Sequence, residues 1–208
     1  MNQNKSKRNP IPTFEETAVF HGHACPGLAL GYRVAVAAMA RLSAVRAVDE
    51  DFVAIVENDA CSVDAVQCVC GCTFGKGNLV FRDHGKHVYT FFNRANGKGI
   101  RIYAEPPEKT EPEMASLARK TDRSAEEQAK LDNDRKHRTD WLLSLPEQDL
   151  LRITETREPP PSKARIHASS RCALCGERMM ETRCRVSRSQ TLCAPCAEAL
   201  TDDSPEEA

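Results

Sequence analysis

Apolar residues recur in two rhythms along the first hundred positions. From Phe14 to Phe20, and again from Pro26 to about Val45, the sequence reads as helix, the second carried by Leu28, Val34, Met39 and Leu42 with many alanines between them. Pro26 suits the first turn of a helix, where its missing N–H costs nothing. The rhythm then shortens. FVAIVEN (52–58) is a β-branched run and predicts a strand, while Asn58 or Asp59 can cap a helix over 61–69 that Gly71 ends. NLVFRD (78–83), HVYTFFN (87–93) and GIRIYAE (99–105) predict three more strands, and the HGK and ANGKG segments between them carry hairpin glycines. The expected fold is α+β, an antiparallel meander with helices packed on one face.

After Pro106 the pattern becomes solvated. Residues 111–145 are rich in Glu, Lys, Arg and Ala, with apolar positions at Leu117, Leu131, Trp141, Leu142 and Leu145, which predicts one or two mostly exposed helices that connect or dimerise. A short helix can start at Pro146. The expected domain plan is a flexible lead (1–12), an α+β core (13–105), a helical connector or dimerisation segment (106–157), a linker (158–170), a small zinc-finger-like domain (171–201) and a disordered tail (202–208). Three consecutive prolines, Pro159 to Pro161, place the linker.

Composition narrows the function. The 29 basic and 30 acidic residues nearly cancel, so no global field favours nucleic acid or an anionic membrane. The polar opening MNQNKSKRNPIP has no apolar stretch behind it and does not read as a secretory signal. The longest apolar-rich stretch, Leu28 to Val48, is interrupted by Arg33, Arg41 and Arg46, so no membrane span is expected. A cytoplasmic location is expected. In that reducing setting the 10 cysteines point to metal ligation rather than disulfides.

The strongest motif is C-terminal. Cys172 and Cys175, then seventeen residues, then Cys193 and Cys196 give the spacing of a four-thiolate zinc site of treble-clef or zinc-ribbon type. So short a segment can barely bury a core, and a structural Zn2+ would supply its folding free energy. Cys184, between the knuckles, reads as a bystander. Lys163, Arg165, Arg171, Arg178, Arg183, Arg185 and Arg188 surround the site against Glu177 and Glu181, a patch that could hold nucleic acid or an acidic protein. Without aromatic platforms a solvated face is the better reading.

Two further clusters lie in the core. In HGHACPG, extended geometry would turn His21, His23 and Cys25 to one side, and Cys25 would sit at a helix N-terminus, where the dipole favours thiolate. In NDACSVDAVQCVCGC, Cys61 and Asp64 share a helix face that Gln67 and Cys68 continue. Cys70 falls on the other side, and Cys72, past Gly71, is free to point back. A mixed site from His21, His23, Cys25, Cys61, Asp64 and Cys72 is therefore expected. GCTFGKGN fails as a phosphate loop on spacing, although Lys76 could still hold an anion.

The segments FHGHACPGLALGYRVA, ENDACSVDAVQCVCGCTFGKGNLVFRDHGKHVYTFF, RCALCGE and LCAPC resemble the FmdE family, named for the E component of tungsten formylmethanofuran dehydrogenase, including members with an appended zinc-finger-like domain. The resemblance implies an α+β core, dimerisation, and a metal or active site at the positions matching the motifs: His21, His23, Cys25, Cys61, Asp64, Gln67, Cys72, Lys76 and Lys86. Cys68 and Cys70 are additions to that pattern, and His84 stands where tyrosine is expected. The functional expectation is a homodimeric zinc-binding accessory protein, assisting a molybdenum or tungsten enzyme or handling metal. Zn2+ sits in the finger, and the core can hold a second Zn2+ or another transition metal. Two alternatives stay open. One is a zinc- or thiolate-dependent enzyme with His23, Cys25, Cys61 and Asp64 as catalytic groups, Lys76 and Lys86 as anion contacts, and a site near the dimer interface. The other is a regulatory or nucleic-acid-binding protein acting through the basic finger.

Overall fold

In the computed structural model the described residues are 10–106, 112–187 and 189–202. Residues 1–9 of the expected lead (1–12), residues 203–208 of the expected tail (202–208) and Arg188 of the basic patch lie outside them. The chain divides into two compact units, residues 1–163 and 164–208.

The first unit is a five-stranded sheet with helices. Helix α1 (Phe14–His21) starts at a capping box in which Thr13 and Glu16 satisfy each other's backbone N–H groups. Helix α2 (Pro26–Arg41) takes Cys25 as its N-cap. It ends four residues earlier than expected, as the chain turns through Ser43 at φ 48°. Strand β1 (Phe52–Val56) leads into helix α3 (Ser62–Cys70), which Gly71 closes in the left-handed conformation. A Cβ on Gly71 would come within 2.5 Å of the Ala47 carbonyl, so only glycine fits there.

Strands β2 (Leu79–Phe81), β3 (Val88–Asn93) and β4 (Lys98–Ala104) follow. The expected meander is corrected here. The sheet order is β2-β1-β3-β4-β5, and β2 pairs with β1 in parallel, Ala54 opposite Leu79. The HGK segment is therefore no hairpin. It carries the chain past β1, and its Lys86 N–H bonds the Glu57 carbonyl. The ANGKG turn does form the hairpin between β3 and β4. Helices α4 (Pro112–Arg119), α5 (Ala125–Ser144) and α6 (Glu147–Leu150) precede a strand that the sequence pattern did not predict, β5 (Leu151–Glu155), antiparallel to β4.

One sheet face, through Phe52, Ala54, Val56, Tyr89, Phe91, Ile100 and Ile102, packs on α2 and α3. Gly31 is the contact point of those helices: a Cβ there would lie 2.2 Å from the Ser62 carbonyl oxygen. Arg33 joins α2 to α5 by donating to the carbonyls of Leu142, Leu143 and Leu145, groups that the helix end leaves open. On the other face lie Val53, Ile55 and Phe92. The proline-rich stretch after β5 is tied to the body: Thr156 N–H bonds Gly99 O, Glu158 pairs with Arg82, and Pro161 O accepts from Arg94.

The second unit consists of two hairpins and a helix: β6 (Ser169–Arg171) with β7 (Arg178–Met180), β8 (Arg185–Ser187) with β9 (Gln190–Leu192), then α7 (Ala194–Asp202). Among its described residues the buried apolar ones are Cys172 and Leu192.

Candidate metal centres

In the small unit the chain folds each C-x2-C into a knuckle. Cys172 N–H bonds the Glu177 carbonyl, Gly176 N–H returns to Cys172 O, and Cys196 lies in the first turn of α7. The four sulfurs of Cys172, Cys175, Cys193 and Cys196 lie within 4.8 Å of one another. A tetrahedron with Zn–S bonds of about 2.3 Å would space its sulfurs about 3.8 Å apart. The Cys175–Cys193 separation of 3.9 Å is close to that.

The sulfurs differ in charge. Backbone N–H groups, from Cys175 first and then Cys193, hold the Cys172 thiol down at about 6. Neighbouring thiols, Cys193 first, push Cys196 up to about 12. Thiolates crowd together only if a cation compensates their charge, so this set suits a soft divalent metal. Cys184 stands apart, its thiol donating to the Met180 carbonyl at 3.6 Å.

The core cluster is built where α1 ends and α2 begins. Donor atoms of His21, His23 and Cys25 also lie within 4.8 Å of one another. His21 is the last residue of α1, and its Nδ1–H donates to Asp64 Oδ2 at 2.7 Å. Since a carboxylate only accepts, the ring proton on that side sits on Nδ1, and in the neutral ring the lone pair is then on Nε2. Nε2 lies 4.0 Å from Cys25 Sγ, a few tenths of an ångström beyond the roughly 3.6 Å that a shared zinc with ordinary bond lengths would give. Asp64 is steadied in turn by Gln67 Nε2–H on Oδ1 at 3.0 Å. A carboxylate behind a histidine, itself held, is the outer shell typical of metal-ligating histidines.

Cys25 Sγ also accepts the Leu28 N–H at 3.3 Å, so one thiol both caps α2 and faces the cluster. Cys61, half-buried, stands beside Cys25; burial first, and then Cys25, push its thiol up. It lies outside the tight trio of donors.

Three residues expected at the site are placed elsewhere or turned away. Cys72 is fully buried, donates to the Phe52 carbonyl at 3.4 Å, and is pushed up to about 12, chiefly by burial. Past Gly71 the chain turns into the core rather than back along α3. Lys76 donates to the Ala47 and Gly71 carbonyls, sealing the end of α3 instead of presenting a cation. The Lys86 side chain is exposed and lines neither cavity at the cluster. Cys68 and Cys70 are buried packing residues.

Two cavities flank the cluster. One, of about 360 Å3, lies on the Asp64 side and includes Asn58, Cys61, Phe74 and Phe81. The other, of about 630 Å3, opens onto His23, Cys25 and Cys61, with Arg135, Lys136 and Thr139 of α5 opposite. Sequence reasoning missed both the α5 wall and the buried network of Asn58, Ser62 and Tyr89 that anchors the loop before Cys61. Asn58, just before the motif cysteine, was the available signal for the network. Nothing in the charged pattern of α5 marked which of its faces would meet a cavity.

A protein from Archaeoglobus fulgidus, named a probable S-adenosyl-L-methionine-binding protein, is 35% identical over 189 residues, which is 86% of this chain; the chain spans about half, 50%, of that relative's length. The crystal structure of a tungsten formylmethanofuran dehydrogenase FmdE-like protein from Syntrophus aciditrophicus matches with a TM-score of 0.59 at 22% identity, over 90% of this chain and 94% of that one, which establishes likeness of fold. The profile of the family described as FmdE, molybdenum formylmethanofuran dehydrogenase operon, matches residues 20–152, a span that holds the core cluster and nearly the whole sheet, and the chain belongs to the FmdE family.

Proposed function

We propose that this chain is a metal-binding accessory protein with two centres: a structural zinc in the small unit, held by Cys172, Cys175, Cys193 and Cys196, and a functional site at His21, His23, Cys25 and Cys61. The observation that carries the reading is the Gln67–Asp64–His21 relay, which aims a fixed nitrogen lone pair at a cluster of soft donors. The family's operon description supports a role beside a molybdenum or tungsten formylmethanofuran dehydrogenase, by assisting that enzyme or supplying its metal. The exposed Val19 and Phe20 on α1 support a homodimer. A cytoplasmic location accompanies this role; among the described residues no helix is long and apolar enough to cross a membrane.

At the core site this chain's own residues divide the work. His21, His23, Cys25 and Cys61 would hold the ion, Asp64 keeps the proton on His21 Nδ1, and Gln67 keeps Asp64 in place. A bound metal would supply Lewis acidity or be passed on as cargo. The test is metal content per chain on anaerobically purified protein. Wild type should carry two equivalents, the His21→Ala/Cys25→Ser double variant one, and the Cys193→Ser variant the other one. Two equivalents in the double variant would remove the core site from the proposal.

A second reading, an enzyme or small-molecule binder, is favoured by the cavity of about 630 Å3 facing His23 and Cys25, within the usual range of ligand pockets. The name of the Archaeoglobus relative makes S-adenosyl-L-methionine the first compound to try, by equilibrium dialysis against metal-loaded protein.

A further inference from the structure

We propose that Cys25 and Cys61 form a redox couple that hydroperoxides convert into an intramolecular disulfide. The couple stands on the geometry of the two thiols. Its consequence, release of the core metal, rests on the reading given above.

Cys25 has the surroundings of an attacking sulfur. It sits at the N-terminus of the 16-residue helix α2, accepts the Leu28 N–H, and has the His21 ring beside it. Cys61 has the surroundings of a resolving thiol. It lies against the first turn of α2, so closely that a Cβ on Gly27 would be 3.3 Å from its own Cβ and 3.9 Å from its sulfur. Its thiol interacts with that of Cys25. Both cysteines are half-buried and line the same cavity of about 630 Å3, through which a small oxidant can arrive. The other cysteines of this unit, Cys68, Cys70 and Cys72, are buried, and Cys72 is bonded to a backbone carbonyl.

The chemistry balances with the peroxide as the only oxidant. The Cys25 thiolate attacks one peroxide oxygen and the O–O bond breaks. The departing oxygen leaves as hydroxide, or as alkoxide from an organic peroxide, and takes a proton to become water or alcohol. Cys25 is then a sulfenic acid. The Cys61 sulfur attacks it, the S–O bond breaks, and hydroxide leaves as water with the Cys61 proton. The two thiols have lost two electrons and two protons, and a low-molecular-weight dithiol can reverse the change by exchange. A disulfide sulfur has no thiolate charge to offer a metal, so oxidation and metal retention exclude each other.

The test uses the full chain, purified anaerobically, in metal-loaded and chelator-treated forms. Each is exposed to one to ten equivalents of hydrogen peroxide, quenched with N-ethylmaleimide, and mapped by peptide mass spectrometry, while a chromogenic chelator records released metal. In the chelator-treated form the Cys25–Cys61 cross-linked peptide should exceed every other pairing within residues 1–163 by at least tenfold. In the loaded form the same peptide should appear in step with release of one metal equivalent. Cys61→Ser should abolish the cross-link and leave Cys25 as a dimedone-reactive sulfenic acid. Sulfinic Cys25 beside unmodified Cys61 in the wild-type protein would overturn the proposal, as would preferential pairing with Cys68, Cys70 or Cys72, and neither result depends on the variant folding. A cross-link that forms without metal release would leave the couple standing and refute the core-site reading.

Discussion

Replacing Asp64 by asparagine would keep the size of the side chain and remove the charged acceptor that fixes His21 Nδ1–H. If His21 is a ligand, metal affinity at the core should fall about 10- to 100-fold with the fold intact, measured by competition with a chromogenic chelator. In the small unit the thiols differ enough to be read by proton release. Cys172, held at about 6, is already thiolate at pH 7, whereas Cys196, pushed up to about 12, is protonated. Metal uptake at pH 7 should therefore draw a proton from Cys196 and almost none from Cys172. As pH falls through 6, Cys172 protonates as well, so uptake at pH 5 should release about one proton more and the apparent affinity should fall more steeply. Calorimetry in buffers of different ionisation enthalpy measures this, and equal release at the two pH values would contradict it. Cys172 and its partners could be named from spacing alone, because knuckle geometry is local. The fate of Cys72 could not: whether a residue beyond Gly71 turns toward the site or into the core depends on where Phe52 lies, and that is a tertiary fact.

At the scale of elements, the contact between α2 and α3 leaves no room at Gly31. Gly31→Ala should cost about 3 kcal/mol of stability in chemical denaturation, since a methyl would meet the Ser62 backbone and not a side chain that can move. Long periodic elements were legible for the same reason that they are stable: α2 repeats its apolar stripe over four turns, and β1 is a run of β-branched and aromatic residues. Strand β5 was not legible. Only Leu151 and Ile153 turn inward among charged neighbours, too brief an alternation to read, and its pairing with β4 supplies the missing definition. The HGK turn misled because glycine marks a change of direction without saying which strand comes next.

At the scale of the whole molecule, the two units rest on different physics. Residues 1–163 bury a continuous core between sheet and helices, while the described part of residues 164–208 buries little besides Cys172 and Leu192. Chelation should therefore abolish the dispersed amide resonances of the small unit and leave those of the sheet in place, seen by heteronuclear NMR before and after adding a strong chelator. Loss of both sets together would mean that the sheet also needs metal.

The cap of α2 carries one more consequence. Because the sulfur of Cys25 receives the Leu28 N–H, the first turn of that helix works as a gauge of what happens to the sulfur. A thiolate, whether free or metal-bound, is a strong acceptor and should keep the Leu28 amide slow to exchange with deuterium. A disulfide or an alkylated sulfur is a weak one, and exchange should quicken. A single backbone amide would then report the chemical state of the site with no probe attached.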